Sequence, residues 1–287
     1  YLLLLPCGLL PDAVLVHLTV GSLGLTLMAC INLRESASEV IIRKMATPLH
    51  LQRREGESVG SLLFAVRVLR YGRPSDTHSP TDVWTCGCNS LGTLGHKIRQ
   101  PLNPMPERVE AMFWKRVVQI AAGKSHTVFL LSNGHVFTCG HGEHGRLGHG
   151  DEGSHFVPHI VRALVDKRVV YVAAGALYTA FVTSEGELFT CGKGENGRLG
   201  HGGLQDEYVP RRVDALIGKC VVRVSIHVLH SVAITSDGKV FTFGFGEDGR
   251  LGHGIVSLRS TPGSSELVPR KIDSLDRKFV IQAEVGD

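Results

Sequence analysis

Short apolar runs separated by glycine-bearing turns occupy most of this chain, and the same order of runs keeps returning. Val117-Val118-Gln119-Ile120 leads into Ala121-Ala122-Gly123. Next, His126-Thr127-Val128-Phe129-Leu130-Leu131 reaches the turn Ser132-Asn133-Gly134, and Val136-Phe137-Thr138-Cys139 follows. Runs this short, rich in β-branched and aromatic residues and bounded by turn residues, predict β-strands. The turns Ser132-Asn133-Gly134, Ser184-Glu185-Gly186 and Ser236-Asp237-Gly238 place glycine where a tight hairpin needs a left-handed residue. No unit carries an amphipathic helical pattern.

The recurrence is regular. VWTCGCNSLGTLGH (83–96), VFTCGHGEHGRLGH (136–149), LFTCGKGENGRLGH (188–201) and VFTFGFGEDGRLGH (240–253) align without gaps, with starts 53, 52 and 52 residues apart. RVVQIAAGKSHTVFLLSNG, RVVYVAAGALYTAFVTSEG and CVVRVSIHVLHSVAITSDG stand upstream of the last three. MPERVEAM, VPHIVRAL, VPRRVDAL and VPRKIDSL follow the four in turn. A period near 50 residues with several strands per unit predicts an all-β fold, a β-propeller of four-stranded blades with about four blades present. The small Ala-Ala-Gly ending of the first strand suits the crowded strand nearest a propeller axis.

GHGEHG (140–145) spells G-x-G-x-x-G, a pattern that can cradle a dinucleotide pyrophosphate when it opens a helix in a βαβ unit. Here it recurs in each unit and runs into Arg-Leu-Gly-His. The expected role is therefore a structural blade turn, built by Gly140, Gly142, Gly145 and Arg146, by Gly192, Gly194, Gly197 and Arg198, and by Gly244, Gly246, Gly249 and Arg250. The glycines supply positive φ, while Leu147, Leu199 and Leu251 anchor the turn in the core. Glu143/Arg146, Glu195/Arg198 and Glu247/Arg250 stand three apart, placed to pair or to bond loop carbonyls. His96, His149, His201 and His253 occupy equivalent positions on successive blades, which do not converge on one ion, so structural hydrogen bonds are expected rather than zinc. His126 and His230 read as buried, hydrogen-bonded imidazoles, and Ser125-His126 lacks the recurring Asp of a triad. No catalytic, cofactor-binding or metal residue is expected.

Composition adds limits. The 287 residues are 43% hydrophobic and 20% charged, with a net charge of +4 and no basic block, so no nucleic-acid partner is expected. Seven cysteines without framework spacing fit a reduced compartment, cytoplasmic or nuclear, and Cys86-x-Cys88 lacks zinc-ligand spacing.

The combination G-x-x-H-[ST], turn, strand, G-x-G-x-x-G-R-L-G-H-G resembles the regulator-of-chromosome-condensation repeat family over residues 80–287. The resemblance implies a seven-bladed propeller, with further blades expected beyond Asp287, since the stretch from Val280 reads as the opening strand of a fifth unit. Asn89 and Ser90 depart from the pattern in the first copy. Tyr178 replaces the His of positions 126 and 230, and Phe243 stands where the other copies have Cys. His227 replaces the Gly of positions 123 and 175. The segment 255–265 adds seven residues between Gly252 and Pro269 relative to Gly200 and Pro210. Function concentrates where repeats break, so Leu258, Arg259 and His227 are candidate partner contacts.

Residues 1–75 share nothing with the repeats and read as a helical region, including a helix within 50–70. Residues 76–82 read as a linker, and the propeller repeats as 83–287. Residues 13–33 carry no formal charge and have spanning length, although Thr, Ser, Gly, His and Asn dilute the run. Leu10-Pro11 and the apolar spacing after it resemble an F-box, which implies a Skp-type adaptor as partner through Leu10 and Pro11. The expected function is a non-catalytic interaction scaffold, in the form of substrate recognition within a ubiquitin ligase. The repeat resemblance implies an alternative, guanine-nucleotide exchange or other regulation of a small Ran-like GTPase. It also includes ultraviolet-B perception, which the presence of only Trp84 and Trp114 disfavours.

Overall fold

The recurring runs become recurring strands in a computed structural model, which describes residues 13–20, 25–32, 64–69, 81–97, 101–254 and 265–286. The second blade contains β6 (Val117–Ala122), β7 (His126–Leu131), β8 (Val136–Gly140) and β9 (His155–Ile160). The third contains β10 (Val169–Ala174), β11 (Tyr178–Thr183), β12 (Leu188–Gly192) and β13 (Glu207–Arg212). The fourth contains β14 (Val221–Ile226), β15 (His230–Thr235), β16 (Val240–Gly244) and β17 (Glu266–Lys271). Each is a four-stranded antiparallel sheet in sequence order. The ladder between the first two strands shifts register at Val117/Gln119, Val169/Tyr171 and Val221/Arg223, a bulge that increases local twist.

β7, β11 and β15 are buried at every residue. That explains their continuous apolar reading: a strand covered on both faces has no solvent side on which to alternate. The core is accordingly a series of slabs between consecutive blades. Val83, Val109, Met112, Phe129 and Cys139 fill the first slab. Val128, Leu130, Leu164, Phe181 and Cys191 fill the second, and Tyr178, Leu188, Leu199, Phe241 and Phe243 fill the third.

The first blade corrects the helical reading of residues 1–75 wherever that stretch is described. β1 (Ala13–Val20), β2 (Leu25–Asn32) and β3 (Phe64–Leu69) are strands. They join β4 (Thr81–Cys88) and β5 (Leu102–Arg108) in one sheet of order β2-β1-β3-β4-β5. β3 pairs with β4 from Phe64↔Cys86 to Leu69↔Thr81, the place that β7 takes beside β8. AVLVHLTV and FAVRVL are rich in Val, which suits a pleated sheet better than a helix. The 76–82 linker is likewise shortened, because β4 begins at Thr81. The F-box resemblance required helices over stretches that here form the β1–β2 pair. Among the described residues no helix is long and apolar enough to cross a membrane.

At the other end, the Val280 N–H donates to the Gly238 carbonyl (3.1 Å), as Val169 does to Gly134 (3.3 Å) and Val221 to Gly186 (2.9 Å). Residues 280–286 thus lie where β10 and β14 lie in their own blades, in keeping with the opening of a fifth unit.

Candidate functional site

The turn after the third strand of each blade is where the recurring polar residues gather. Gly140 and Gly145 have φ of 116° and 77°, as expected. The reading is corrected for the middle glycine: Gly142, Gly194 and Gly246 have φ of −90°, −88° and −111°. Close approach, not handedness, holds the first two of these. A Cβ on Gly142 would fall on the Gly153 carbonyl, and one on Gly194 on that of Gln205. The additional left-handed residue is His144, Asn196 or Asp248, types that tolerate this conformation. Leu147, Leu199 and Leu251 are buried, as the sequence predicts.

Arg146 is buried, and its guanidinium is engaged on several sides. Nε donates to the Glu143 carbonyl (2.8 Å), Nη2 to the Glu143 carboxylate (3.1 Å), and Nη1 to Ser125 Oγ (2.7 Å) and the Ala176 carbonyl of the next blade (3.3 Å). Arg198 repeats the arrangement with the Glu195 carbonyl (2.7 Å), the Glu195 carboxylate (3.3 Å) and the Val228 carbonyl (2.8 Å). Arg250 donates to the Glu247 carbonyl (2.9 Å), but its acidic partner is Asp248 (3.1 Å) rather than Glu247. Burial lowers the pKa of Arg146 and Arg198, yet a guanidinium remains charged at neutral pH.

The recurring histidines bind hydroxyls. Thr138 Oγ1 donates its one proton to the Leu147 carbonyl (2.8 Å), so at His149 Nε2 (2.9 Å) it can only accept. Thr85 with His96, Thr190 with His201 and Thr242 with His253 make the same bond at 2.9 Å. Each imidazole is therefore the Nε2–H tautomer. Burial lowers the pKa of all four, that of His149 to about 4, with His155 and His159 adding to the effect. Among the described residues no group of three or more His, Cys, Asp or Glu is placed to hold a metal ion.

A second set of bonds crosses from blade to blade. Thr179 Oγ1 donates to the Arg146 carbonyl (2.7 Å) and accepts from His126 Nε2 (2.8 Å). Burial, then the Arg146 cation and His141, push the His126 pKa down to about 3, so this imidazole is neutral. At the next junction Tyr178 takes the place of His126, and its hydroxyl reaches the His230 carbonyl (2.7 Å) and Ser231 Oγ (3.0 Å). Ser231 in turn donates to the Arg198 carbonyl (2.9 Å). Gly123 and Gly175 mark the same contacts, since a Cβ on Gly175 would strike the His227 carbonyl. That carbonyl accepts from the Ala176 N–H (2.7 Å).

Two fasteners went unread in the sequence. Gln119 Nε2 donates to the Val172 carbonyl (2.8 Å), and its Oε1 accepts from the Val172 N–H (3.1 Å), bridging β6 to β10. Asp206 accepts from the Gly194 N–H (2.9 Å) and meets His144 Nδ1 across the junction (2.7 Å). Gln119 does not recur, and the cap on the glycine recurs with a different side chain, Ser154 Oγ on the Gly142 N–H (3.2 Å), so matching residue types carries no signal for either. Of the predicted partner contacts, His227 follows β14 at a blade junction. Leu10, Pro11, Leu258 and Arg259 lie outside the described residues. The recurring hydroxyls and guanidinium groups are engaged with carbonyls and hydroxyls, which is the chemistry of fastening rather than of group transfer.

Known proteins carry this pattern. The chain is 36% identical over 207 residues to the human E3 ubiquitin-protein ligase HERC2, covering 71% of this chain and 4% of that protein. It is 33% identical over 211 residues to the Arabidopsis thaliana ultraviolet-B receptor UVR8, covering 73% of this chain and 46% of the receptor. The chain thus spans only part of the length of either relative. The crystal structure of human WBSCR16 superposes with a TM-score of 0.61 at 25% identity, over 79% of this chain and 56% of that one. The model of the regulator of chromosome condensation (RCC1) repeat matches residues 82–130, 133–182, 185–234 and 237–287. Each of the first three matched repeats holds the outer two strands of one blade and the inner two of the next, which is why its polar residues act between blades. With these four matches covering more than two thirds of its length, the chain belongs to the RCC1-repeat family.

Proposed function

We propose that this chain is a non-catalytic interaction module, and that it recognises substrates for a ubiquitin ligase. One observation carries the reading: the recurring side chains capable of chemistry are engaged in holding blades together, leaving the non-repeating loops to meet a partner. The likeness to HERC2, an E3 ubiquitin-protein ligase, supports the ligase context. His227, Leu258 and Arg259 are the proposed contacts. The proposed setting is the cytoplasm or nucleus, in keeping with seven cysteines that lack framework spacing. Affinity purification of the full chain, with partners identified by mass, tests the reading. Stoichiometric capture of a protein that becomes ubiquitinated supports it, and capture unchanged by Leu258→Ala, Arg259→Ala and His227→Ala together removes these contacts. Capture of a small GTPase whose nucleotide release accelerates would favour the exchange reading instead.

A further inference from the structure

The outer strand of each blade pairs with the third strand on both sides of a register shift, and two of its side chains there lie beside the recurring histidine. In the second blade these pairings are Gly140↔His155 and Thr138↔His159. The equivalent residues are Asn103 and Glu107 in the first blade, Glu207 and Arg211 in the third, and Glu266 and Arg270 in the fourth. In those three blades the two side chains bond each other. Asn103 Nδ2 donates to Glu107 (2.6 Å), Arg211 to Glu207 (2.6 Å) and Arg270 to Glu266 (2.7 Å). Each pair includes a glutamate whose charge favours a proton on the neighbouring His96, His201 or His253.

The second blade breaks this rule. His155 and His159 replace the pair, with ring centroids 4.3 Å apart, and His149 lies 4.8 Å from the first and 6.1 Å from the second. His155 Nε2 is buried without a hydrogen-bond partner. Imidazoles this close repel one another once charged. Burial, then the neighbouring histidines, hold His149 down to about 4 and His155 below its ordinary value. Asp151 opposes the effect at both, but its Oδ1 already accepts from the Gly153 N–H (2.8 Å). Thr138 on β8 is neutral, and Glu110, on the first-blade turn that packs against β9, is held by Arg108 (2.8 Å). β9 also receives the uncharged Gly92–Gly95 turn of the first blade. A Cβ on Gly92 would lie 2.7 Å from Phe156 Cα, and one on Gly95 3.2 Å from the Pro158 ring.

We propose that His149, His155 and His159 form a proton-operated catch on β9. Neutral, they leave β9 seated on β8 and against the first blade's turn. As they take up protons, their mutual repulsion frees β9 and loosens the junction between the first and second blades. His149 and His155 bind protons more weakly in place than when β9 is released. The catch is therefore closed above the ordinary histidine value of 6.5 and opens as pH falls toward 4.

Amide hydrogen exchange of the full chain at pH 7.5 and pH 5.0, corrected for the intrinsic exchange rate, tests the catch. The β9 amides are expected to lose about tenfold or more of their protection in acid. Those of β13, where Glu207 and Arg211 keep the rule, should lose clearly less. His155→Glu with His159→Arg installs the pair of the third blade and should remove the excess loss at β9. His159→Gln, at an exposed position, should reduce that excess while leaving the bond of His149 to Thr138 in place. Equal losses in β9 and β13, or an excess that survives in the double variant, overturn the proposal. So does a His149 that titrates near 6.5 in NMR spectra of the unaltered chain, a measurement that holds even where a variant fails to fold.

Discussion

The junction between the second and third blades and the junction between the third and fourth perform one task with different groups. In the first, a neutral imidazole, His126, donates to Thr179, which donates to the Arg146 carbonyl. In the second, the phenol of Tyr178 reaches the His230 carbonyl and Ser231, and Ser231 donates to the Arg198 carbonyl. What the repeat preserves is therefore a donor at a fixed place, delivered to the next blade. The difference lies in titration: an imidazole takes up a proton as pH falls, more readily once unfolded than in the junction, and a phenol does not.

The largest effect should come from the element both junctions share. Arg146→Met and Arg198→Met leave buried carbonyls unpaired, at about 1–3 kcal/mol each, so each should cost about 3 kcal/mol in urea unfolding. Arg250→Met should cost less, because Arg250 is more exposed and caps fewer carbonyls. Equal losses at all three positions would show that the bonds to the next blade contribute nothing.

Acid should separate the junctions next. The folded pKa of His126, about 3, lies below its unfolded value of 6.5, so the unfolded state binds the proton first. Its contribution is intact above pH 6.5 and is lost as pH falls toward 3, by up to about 1.4 kcal/mol per pH unit. His149 and His230, both near pKa 4, act in the same direction. Unfolding followed from pH 7 to pH 4.5 should show this loss, and His126→Tyr with Thr179→Ser should flatten it by recreating the Tyr178 arrangement. An unchanged pH profile in that variant would mean that His126 is not the titrating group.

Smaller losses test the individual hydroxyl and amide. Tyr178→Phe should cost about 1–2 kcal/mol, and Tyr178→His less, since it restores the partner found at position 126. Gln119→Ala should cost about 1 kcal/mol by removing the bridge to Val172. A silent Gln119→Ala would reduce that bridge to a surface contact.

How much of this was legible depended on whether a residue repeats. Thr138 and His149 recur together, so the propeller and its histidine bonds could be anticipated from spacing. Arg146 also recurs, but its destination is a set of carbonyls, which every residue has and which leave no mark in a sequence. Gln119 acts once, Asp206 shares its place with Ser154 rather than with another acid, and only the fold brings them to their partners. The strands over 13–20, 25–32 and 64–69 escaped because they complete the first blade without carrying its motif, and strand pairing depends on residues far away in the chain.

A double-mutant cycle on His126→Phe and Thr179→Val, followed by urea unfolding at pH 7, most directly tests whether the recurring side chains fasten one blade to the next. The bond across the junction predicts a coupling energy of about 1–2 kcal/mol between the two positions. Strictly additive losses would contradict it.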